Sequence, residues 1–252
     1  DMLERGYLLP NQTIEEKVRV KAKYASELLN RPDLENKFYN MIAMGWTSLS
    51  SPIWANFGEN RGLPIACYSS YVPDSIDGIF LANHEVARMT SLGGGTSGYF
   101  PLRPKGYSIK GGGKTSGAVS FVEIFDTTIK NVSQSGVRRG GFAAYMDIDH
   151  PEIIDFMRIK DKDSSMQSIN TAVNVTDDFM NRMINGDEKA REVWAEVLRN
   201  RREKGIPYIS FIDNVNNQAP QPYKDKGLRI NQSNLCVAGD TKILTELGYK
   251  QI

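Results

Sequence analysis

Two cysteines, Cys67 and Cys236, are the strongest nucleophiles the 252-residue chain offers. They are too far apart in sequence to form a metal-ligand spacing or a secreted-type disulfide framework, so each is weighed as a reactive thiol or as core filler. Cys67 stands in "GLPIACYSSYVPDSIDGI", after an apolar run and before a turn into a helix. Residue type alone favours a buried structural cysteine there. Three further clusters could carry chemistry. "GGGKTSG" ends like a phosphate-binding P-loop, but the glycine needed five positions before Gly113 is Ser108, and the lead-in "RPKGYSI" is polar and contains Pro104. The competing reading is a glycine-rich turn. "DIDHPEII" offers Asp147, Asp149 and His150 as metal ligands; with no second His nearby, acidic residues ahead of a helix start at Pro151 explain it better. "SQSGVRRGG" couples adjacent arginines to three glycines, a frame suited to gripping a phosphate or reading a base edge. A solvated surface turn accounts for it equally well.

These segments need elements to position them, and helical and extended signals alternate along the chain, the pattern of an α/β architecture. "TIEEKVRVKAKYASELLNR" opens with Thr13 and Glu16 at capping-box spacing. "SIDGIFLANHEVARM", "AVSFVEIFDTTIKNVS" and "PEIIDFMRI" carry apolar residues at three- and four-residue intervals, and "EKAREVWAEVLRNRREKG" is the most helical stretch, ending at Gly205. "GGFAAYMDI", "SINTAVNV" and "IPYISFI" read as strands. Glycines cluster in three turns between residues 92 and 141, which suggests backbone brought close to a ligand.

Composition bounds the rest. Apolar residues make up 40% and charged residues 24%, enough for a sizeable core. Lys and Arg (31) nearly cancel Asp and Glu (30), so no overall field drives binding to nucleic acid or to an acidic membrane. Neither a membrane-length apolar run nor a signal-peptide pattern is present, and the expected location is cytoplasmic. The absence of an initiating Met and an end inside a strand-forming segment suggest a fragment.

Taken together, "SSPIWANFG", "ACYSSYVPDSIDGI", the turn at Gly95, "RPKGYSIKGG", "SQSGVRRGG" and "RINQSNLC" resemble, in order and at matching spacing, the large catalytic subunit of class I ribonucleotide reductases. The resemblance runs from about Thr47 to Cys236. It implies a ten-stranded α/β barrel of two half-barrels, of which residues 47–235 supply the first, preceded by a helical segment, 1–46. By the same resemblance Ser51, Ala66, Cys67, Gly95 and Asn234 line the substrate, a ribonucleoside diphosphate. Cys67 becomes one of two thiols that reduce the 2′-carbon, Asn234 holds the ribose hydroxyls, and Cys236 occupies the thiyl-radical position. Asp74, Ser75, Ile76, Arg103 and Lys110 match a specificity site for a deoxynucleoside triphosphate or ATP, with Mg expected, at a homodimer interface. Gln134 and Arg138 match the loop that relays effector identity. The resemblance implies no metal or cofactor on this chain; the radical comes from a separate metal-containing small subunit and the electrons from thioredoxin or glutaredoxin. Ala66, where Ser is frequent, and the extra Arg139 depart from the usual pattern.

After "QSNLC" the family continues with a Glu two residues past the cysteine, and here Ala238 stands instead. "CVAGDTKILTELGYKQI" looks like the first block of an intein, so residues 236–252 are expected to begin an all-β splicing domain whose nucleophile is Cys236. Alone, such a fragment neither splices nor reduces nucleotides; the rest of the intein and of the subunit are its partners. Two other readings stay open: a nucleotide-binding regulatory fragment without catalysis, and a P-loop protein using "GGGKTSG".

Overall fold

The computed structural model describes residues 6–132, 140–161, 163–234, 242–245 and 248–251. Its N-terminal helices are α1 (Ile14–Leu28), α2 (Glu35–Ala43) and α3 (Ser51–Asn56). The capping box forms: Glu16 donates its amide to Thr13 Oγ1 at 3.2 Å, and the Thr13 amide reaches Glu16 Oε2 at 2.8 Å. The Glu16 carboxyl lies below its usual range because it accepts from the backbone and then the hydroxyl of Thr13.

Five strands follow, β1 (Cys67–Tyr71), β2 (Gly95–Tyr99), β3 (Gly141–Asp147), β4 (Asn170–Val175) and β5 (Tyr208–Phe211), all parallel and adjacent in chain order. The connections run through α4 (Ile76–Ser91), α5 (Ala118–Asn131), α6 (Ile153–Arg158), and the pair α7 (Asp177–Ile184) and α8 (Glu188–Lys204). Two short helices, α9 (Ile212–Asn217) and α10 (Gln221–Asp225), come after β5.

That order has a geometric consequence. Right-handed crossovers that always step in the same direction put every connecting helix on one face of the sheet, whereas a reversal of direction would use both faces. Here Phe142, Ala144 and Met146 of β3 and Val173 and Val175 of β4 point into the buried core with Ile79 and Val86 of α4, Val122 and Phe125 of α5, Phe156 of α6 and Val197 of α8. Phe125 stacks 5.0 Å from Phe100 and 5.4 Å from Phe142. Gly98 belongs to this packing, since a Cβ there would lie 2.7 Å from the Phe142 ring. Among the described residues the opposite face receives no connecting helix.

α8 stops where its sequence says it should: Gly205 adopts φ 76°, and its amide bonds back to the Arg201 carbonyl. At the C-terminal end, β6 (Lys242–Thr245) and β7 (Gly248–Gln251) pair antiparallel with each other and form a sheet of their own. Among the described residues no helix is long and apolar enough to cross a membrane.

One sequence expectation is corrected here. Asp147 and Asp149 do not cap a helix at Pro151. α6 begins at Ile153 without a side-chain cap, Asp149 instead takes both oxygens to Arg182 (2.6 and 2.7 Å), and Asp147 faces the sheet. His150 is the local brace: its Nδ1 accepts the Glu152 amide at 3.1 Å, which leaves Nε2 carrying the proton it shares with the Leu102 carbonyl at 2.8 Å. The alternative P-loop reading falls, and "GGGKTSG" forms the glycine-rich turn that its spacing favoured. It turns a hairpin, with Ser108 bridged to Lys114 and the Thr115 amide bonded to the Tyr107 carbonyl. The N-terminus of α5, where a P-loop would seat phosphate, already holds the Glu152 carboxylate, which accepts the Ala118 amide at 2.8 Å.

Candidate functional site

The helix-free face of the sheet is polar, and strand alternation makes it so. Residues two apart share a face, and the registers align them in rows: Cys67, Gly95 and Gly141 at the strand starts; Ser69, Ser97, Ala143 and Asn170 next; then Tyr71, Tyr99, Tyr145, Ala172 and Tyr208; then Asp147, Asn174 and Ser210. Neighbours in these rows bond to one another. Ser69 and Ser97 share a hydrogen bond of 2.9 Å, and Tyr99 donates its hydroxyl to Asp147 Oδ2 at 2.6 Å. Burial, then that bond to a carboxylate, hold the Tyr99 phenol well above its ordinary range. Burial likewise raises the Tyr145 phenol.

A strap, residues 228–234, covers this floor. Asn216 clasps Ile230 through both ends of its carboxamide, donating from Nδ2 to the carbonyl at 2.9 Å and accepting the amide on Oδ1 at 2.8 Å. Asn174 donates to the Asn231 carbonyl at 2.8 Å, and Gln232 to the Ser70 carbonyl at 2.9 Å. Asn234 then donates to the Gly95 carbonyl at 2.7 Å. Carboxamides suit this work because each presents a donor and an acceptor to backbone groups that an unpaired segment leaves open. The strap therefore runs from α9 across β4 to the starts of β1 and β2.

At those starts the structure brings four of the expected substrate residues together. Gly95 donates its amide to the Ala66 carbonyl at 2.7 Å and accepts from Asn234, and its register partner is Cys67. The Cys67 thiol is exposed, not buried, so the core-filler reading is overturned. Polar strands explain why: β1 reads "CYSSY", and its alternate side chains face the strap instead of the core. Ser51 is the exposed first residue of α3, and no hydrogen bond among the described residues connects it to Gly95 or Asn234. Cys236, Gln134 and Arg138 lie outside the described residues.

The five expected effector residues converge. Asp74, Ser75, Ile76, Arg103 and Lys110 line one pocket of about 480 Å³ between the N-terminus of α4 and the 107–115 hairpin, together with Lys114 and Phe121. Arg103 Nε donates to Asp74 Oδ2 at 2.6 Å, and Ser75 caps α4 by accepting the Gly78 amide. Three cations beside a helix N-terminus, with the apolar surfaces of Ile76, Ile79 and Phe121 between them, suit an anionic ligand that also has a flat apolar part. Glu152 braces the wall, accepting the amides of Lys105 (3.1 Å) and Ala118. Among the described residues no cluster of three or more His, Cys, Asp or Glu could hold a metal ion.

Sequence reasoning missed Tyr99, Asn174, Gln232 and the strands β1 and β2, and read Asp147 as an acid ahead of a helix start rather than as the acceptor of the Tyr99 hydroxyl. The available signal was polar: Asn170 and Asn174 recur on one side of an otherwise apolar strand.

Comparison with known proteins places this architecture. The family model "Ribonucleotide reductase, barrel domain" matches residues 65–189 and 185–238. The "Ribonucleoside-diphosphate reductase large subunit" of Invertebrate iridescent virus 6 is 34% identical over 241 residues, covering 86% of this chain and 24% of the relative. The "Vitamin B12-dependent ribonucleoside-diphosphate reductase" of Thermoplasma acidophilum is 35% identical over 190 residues, covering 68% of this chain and 25% of the relative. Among solved structures, the Actinobacillus ureae class Id ribonucleotide reductase alpha subunit superposes with a TM-score of 0.86 at 42% identity, over 93% of this chain and 44% of that one. A one-directional parallel sheet with a polar inner face is part of an α/β barrel, and the chain belongs to the ribonucleotide reductase family. It spans about a quarter of the curated relatives named and under half of the solved one.

Proposed function

We propose that this chain is the first part of a class I ribonucleoside-diphosphate reductase large subunit, interrupted at its radical cysteine by an intein. Residues 1–46 are its helical lead-in, 47–235 its catalytic half-barrel, and 236–252 the start of the splicing domain. The observation that carries the reductase reading is the chain of contacts from Ala66 through Gly95 to Asn234, with exposed Cys67 registered on Gly95. It ties the residue two positions before Cys236 to the strand start that holds Cys67.

In the complete subunit, Asn234 orients the ribose hydroxyls and the cysteine at position 236 exchanges a hydrogen atom with the ribose. Cys67 and a second thiol further along the polypeptide deliver two electrons: the 2′-hydroxyl leaves as water, a C–H bond replaces the C–O bond, and the two thiols close to a disulfide. Ser51 and Ala66 contact the substrate beside them. The radical comes from a separate metal-bearing small subunit, and thioredoxin or glutaredoxin reopens the disulfide. The Asp74–Arg103–Lys110 pocket holds a deoxynucleoside triphosphate or ATP with Mg at a homodimer interface, and Gln134 and Arg138 relay its identity.

For the intein, the support is that the barrel-family match stops at residue 238 and that the strands at 242–251 pair with each other rather than extend the parallel sheet. The Cys236 thiol attacks the Leu235 carbonyl carbon, the C–N bond breaks, and the proton passes to the released amine, leaving a thioester. Expressing the chain with its downstream reading frame and determining the mass and junction sequence of the product tests both parts. The expected product has a Cys directly after Leu235 and lacks the intervening domain. An unspliced product, or a Ser or Thr at the junction, contradicts the scheme; a complete downstream sequence without the second thiol and the catalytic Glu reduces the chain to a regulatory fragment.

A further inference from the structure

The last residues of the strap are tied to the two strands that meet at Cys67. Gln232 and Asn234 are half-buried and Ser233 between them is exposed, the alternation of an extended segment whose every second side chain faces the sheet. Gln232 Nε2 donates to the Ser70 carbonyl of β1 at 2.9 Å, and Asn234 Nδ2 to the Gly95 carbonyl of β2 at 2.7 Å. Both acceptors lie in the paired stretch of the two strands, where a carbonyl keeps a second lone pair for a side-chain donor. Ser70 is registered on Gly98 and Gly95 on Cys67. The two anchors therefore stand about 10 Å apart along the strands, whereas the backbone from residue 232 to residue 234 spans at most about 7 Å. The side chains make up the difference, so the segment is held taut and a change at Gln232 is felt at Asn234. Asn174 holds the Asn231 carbonyl from β4, and Gln232 ties the strap to the strand that begins with Cys67.

We propose that Gln232 is a positioning residue for the ribonucleotide reduction proposed above: its bond to Ser70 fixes the strap along β1 and so sets where Asn234 stands relative to Cys67. The inference rests on the reductase reading and adds to it a residue that acts through Asn234. Donor chemistry at position 232 is what the role requires. Leu there keeps most of the volume and loses the donor. Glu keeps the length but turns a carboxylate oxygen toward a carbonyl oxygen, and only its protonated form regains an O–H donor. Partial burial beside an acceptor raises such a carboxyl above its usual range. Displacing a positioned group by about 1 Å can cost about a hundredfold in rate.

Steady-state turnover of the complete subunit tests it, with deoxynucleoside triphosphate affinity measured alongside as the check on folding. Gln232→Leu is expected to lower kcat about tenfold or more, while KM for the ribonucleoside diphosphate and the effector affinity each stay within about twofold of the parent. For Gln232→Glu, kcat relative to the parent should rise at least about threefold from about pH 8 to about pH 6, as the protonated carboxyl donates to the Ser70 carbonyl. The same ratio for Gln232→Leu should stay flat; a side chain that only filled space would give two flat ratios. The Glu variant keeps the test decisive if Gln232→Leu fails to fold, which lost effector binding would show. Parent-like kcat for a folded Gln232→Leu subunit, or a ratio for Gln232→Glu that does not change with pH, overturns this inference and leaves the reductase reading standing. No turnover by the parent, or turnover that survives Cys67→Ser, removes the reductase reading and this inference with it.

Discussion

Asn234 donates its side-chain amide to the Gly95 carbonyl at 2.7 Å, and Gly95 passes its own amide to the Ala66 carbonyl at 2.7 Å. Two segments far apart in sequence are thereby fixed to one strand start, beside the exposed thiol of Cys67. A sheet whose crossovers all lie on one face leaves its other face to be satisfied by side chains and by a strap, and the contacts of residues 230–234 are how this chain does so.

The strap depends on Asn174. Replacing it with Ala removes the donor to the Asn231 carbonyl and empties a buried position on the floor. Unfolding free energy from denaturant titration should fall by about 1–3 kcal/mol, and amide exchange in residues 229–234 should accelerate more than in α8. Unchanged exchange in the strap would show that Asn174 does not hold it.

Glu152 joins two elements beside the pocket at the N-terminus of α4. Glu152→Ala leaves the Lys105 and Ala118 amides without their acceptor and should cost about 1–3 kcal/mol. Gly117→Ala attacks the same joint, because Gly117 has φ 97° and a Cβ there would lie 2.4 Å from Glu152 Oε1. Thermal melts of both variants should show large losses, whereas Gly111→Ala at the open hairpin tip, with nothing within 4 Å of its added Cβ, loses only what its positive φ demands, about 1 kcal/mol.

Arg103→Ala removes the cation best placed on the pocket wall. Equilibrium binding of a deoxynucleoside triphosphate to the complete subunit should weaken about tenfold or more, as expected for the loss of a charge-assisted contact. Equal affinity in variant and parent would remove the pocket from the effector site.

Much of this architecture is legible in the residue order, and the gaps share one cause. The capping box at Thr13 and Glu16, the Gly205 stop and the apolar strands β3 and β4 carry strong local signals, and the structure follows them. β1 and β2 were hidden because "CYSSY" and "GTSGY" present Ser, Tyr and Cys to the strap, so their alternation is polar against small or aromatic rather than apolar against polar. Asp149 misled for a different reason: a carboxylate beside a helix start resembles a cap, and its partner Arg182 sits on α7, beyond the reach of local patterns. The convergence of Asp74, Arg103 and Lys110 came from likeness to a family, and local spacing alone would not have joined them.

Lys21 sets a pH dependence. Its folded-state value is drawn down to about 8 from 10.5, so between those limits the unfolded chain binds more protons than the folded one. Stability should therefore rise with pH from about 8 to 10.5, by at most about 3 kcal/mol, and this contribution is lost as pH falls through 8. The neighbouring Glu59 carboxyl does not titrate in that window: burial would raise it, but donation from Lys17 and Gln12 and the nearby charge of Lys21 keep it below the ordinary carboxylate range. The difference in unfolding free energy between the parent and Lys21→Met, followed across pH 8–10.5, isolates the effect; a flat difference would contradict it.

The reductase reading rests most directly on Cys67. Deoxyribonucleotide formation by the complete subunit that the proposal describes, assayed with the proposed radical-generating small subunit, a ribonucleoside diphosphate and a dithiol reductant, is the decisive measurement when made with the parent and with Cys67→Ser. The account predicts turnover by the parent and none above background for the variant, with effector binding retained. Turnover by Cys67→Ser at the parent's rate would contradict it.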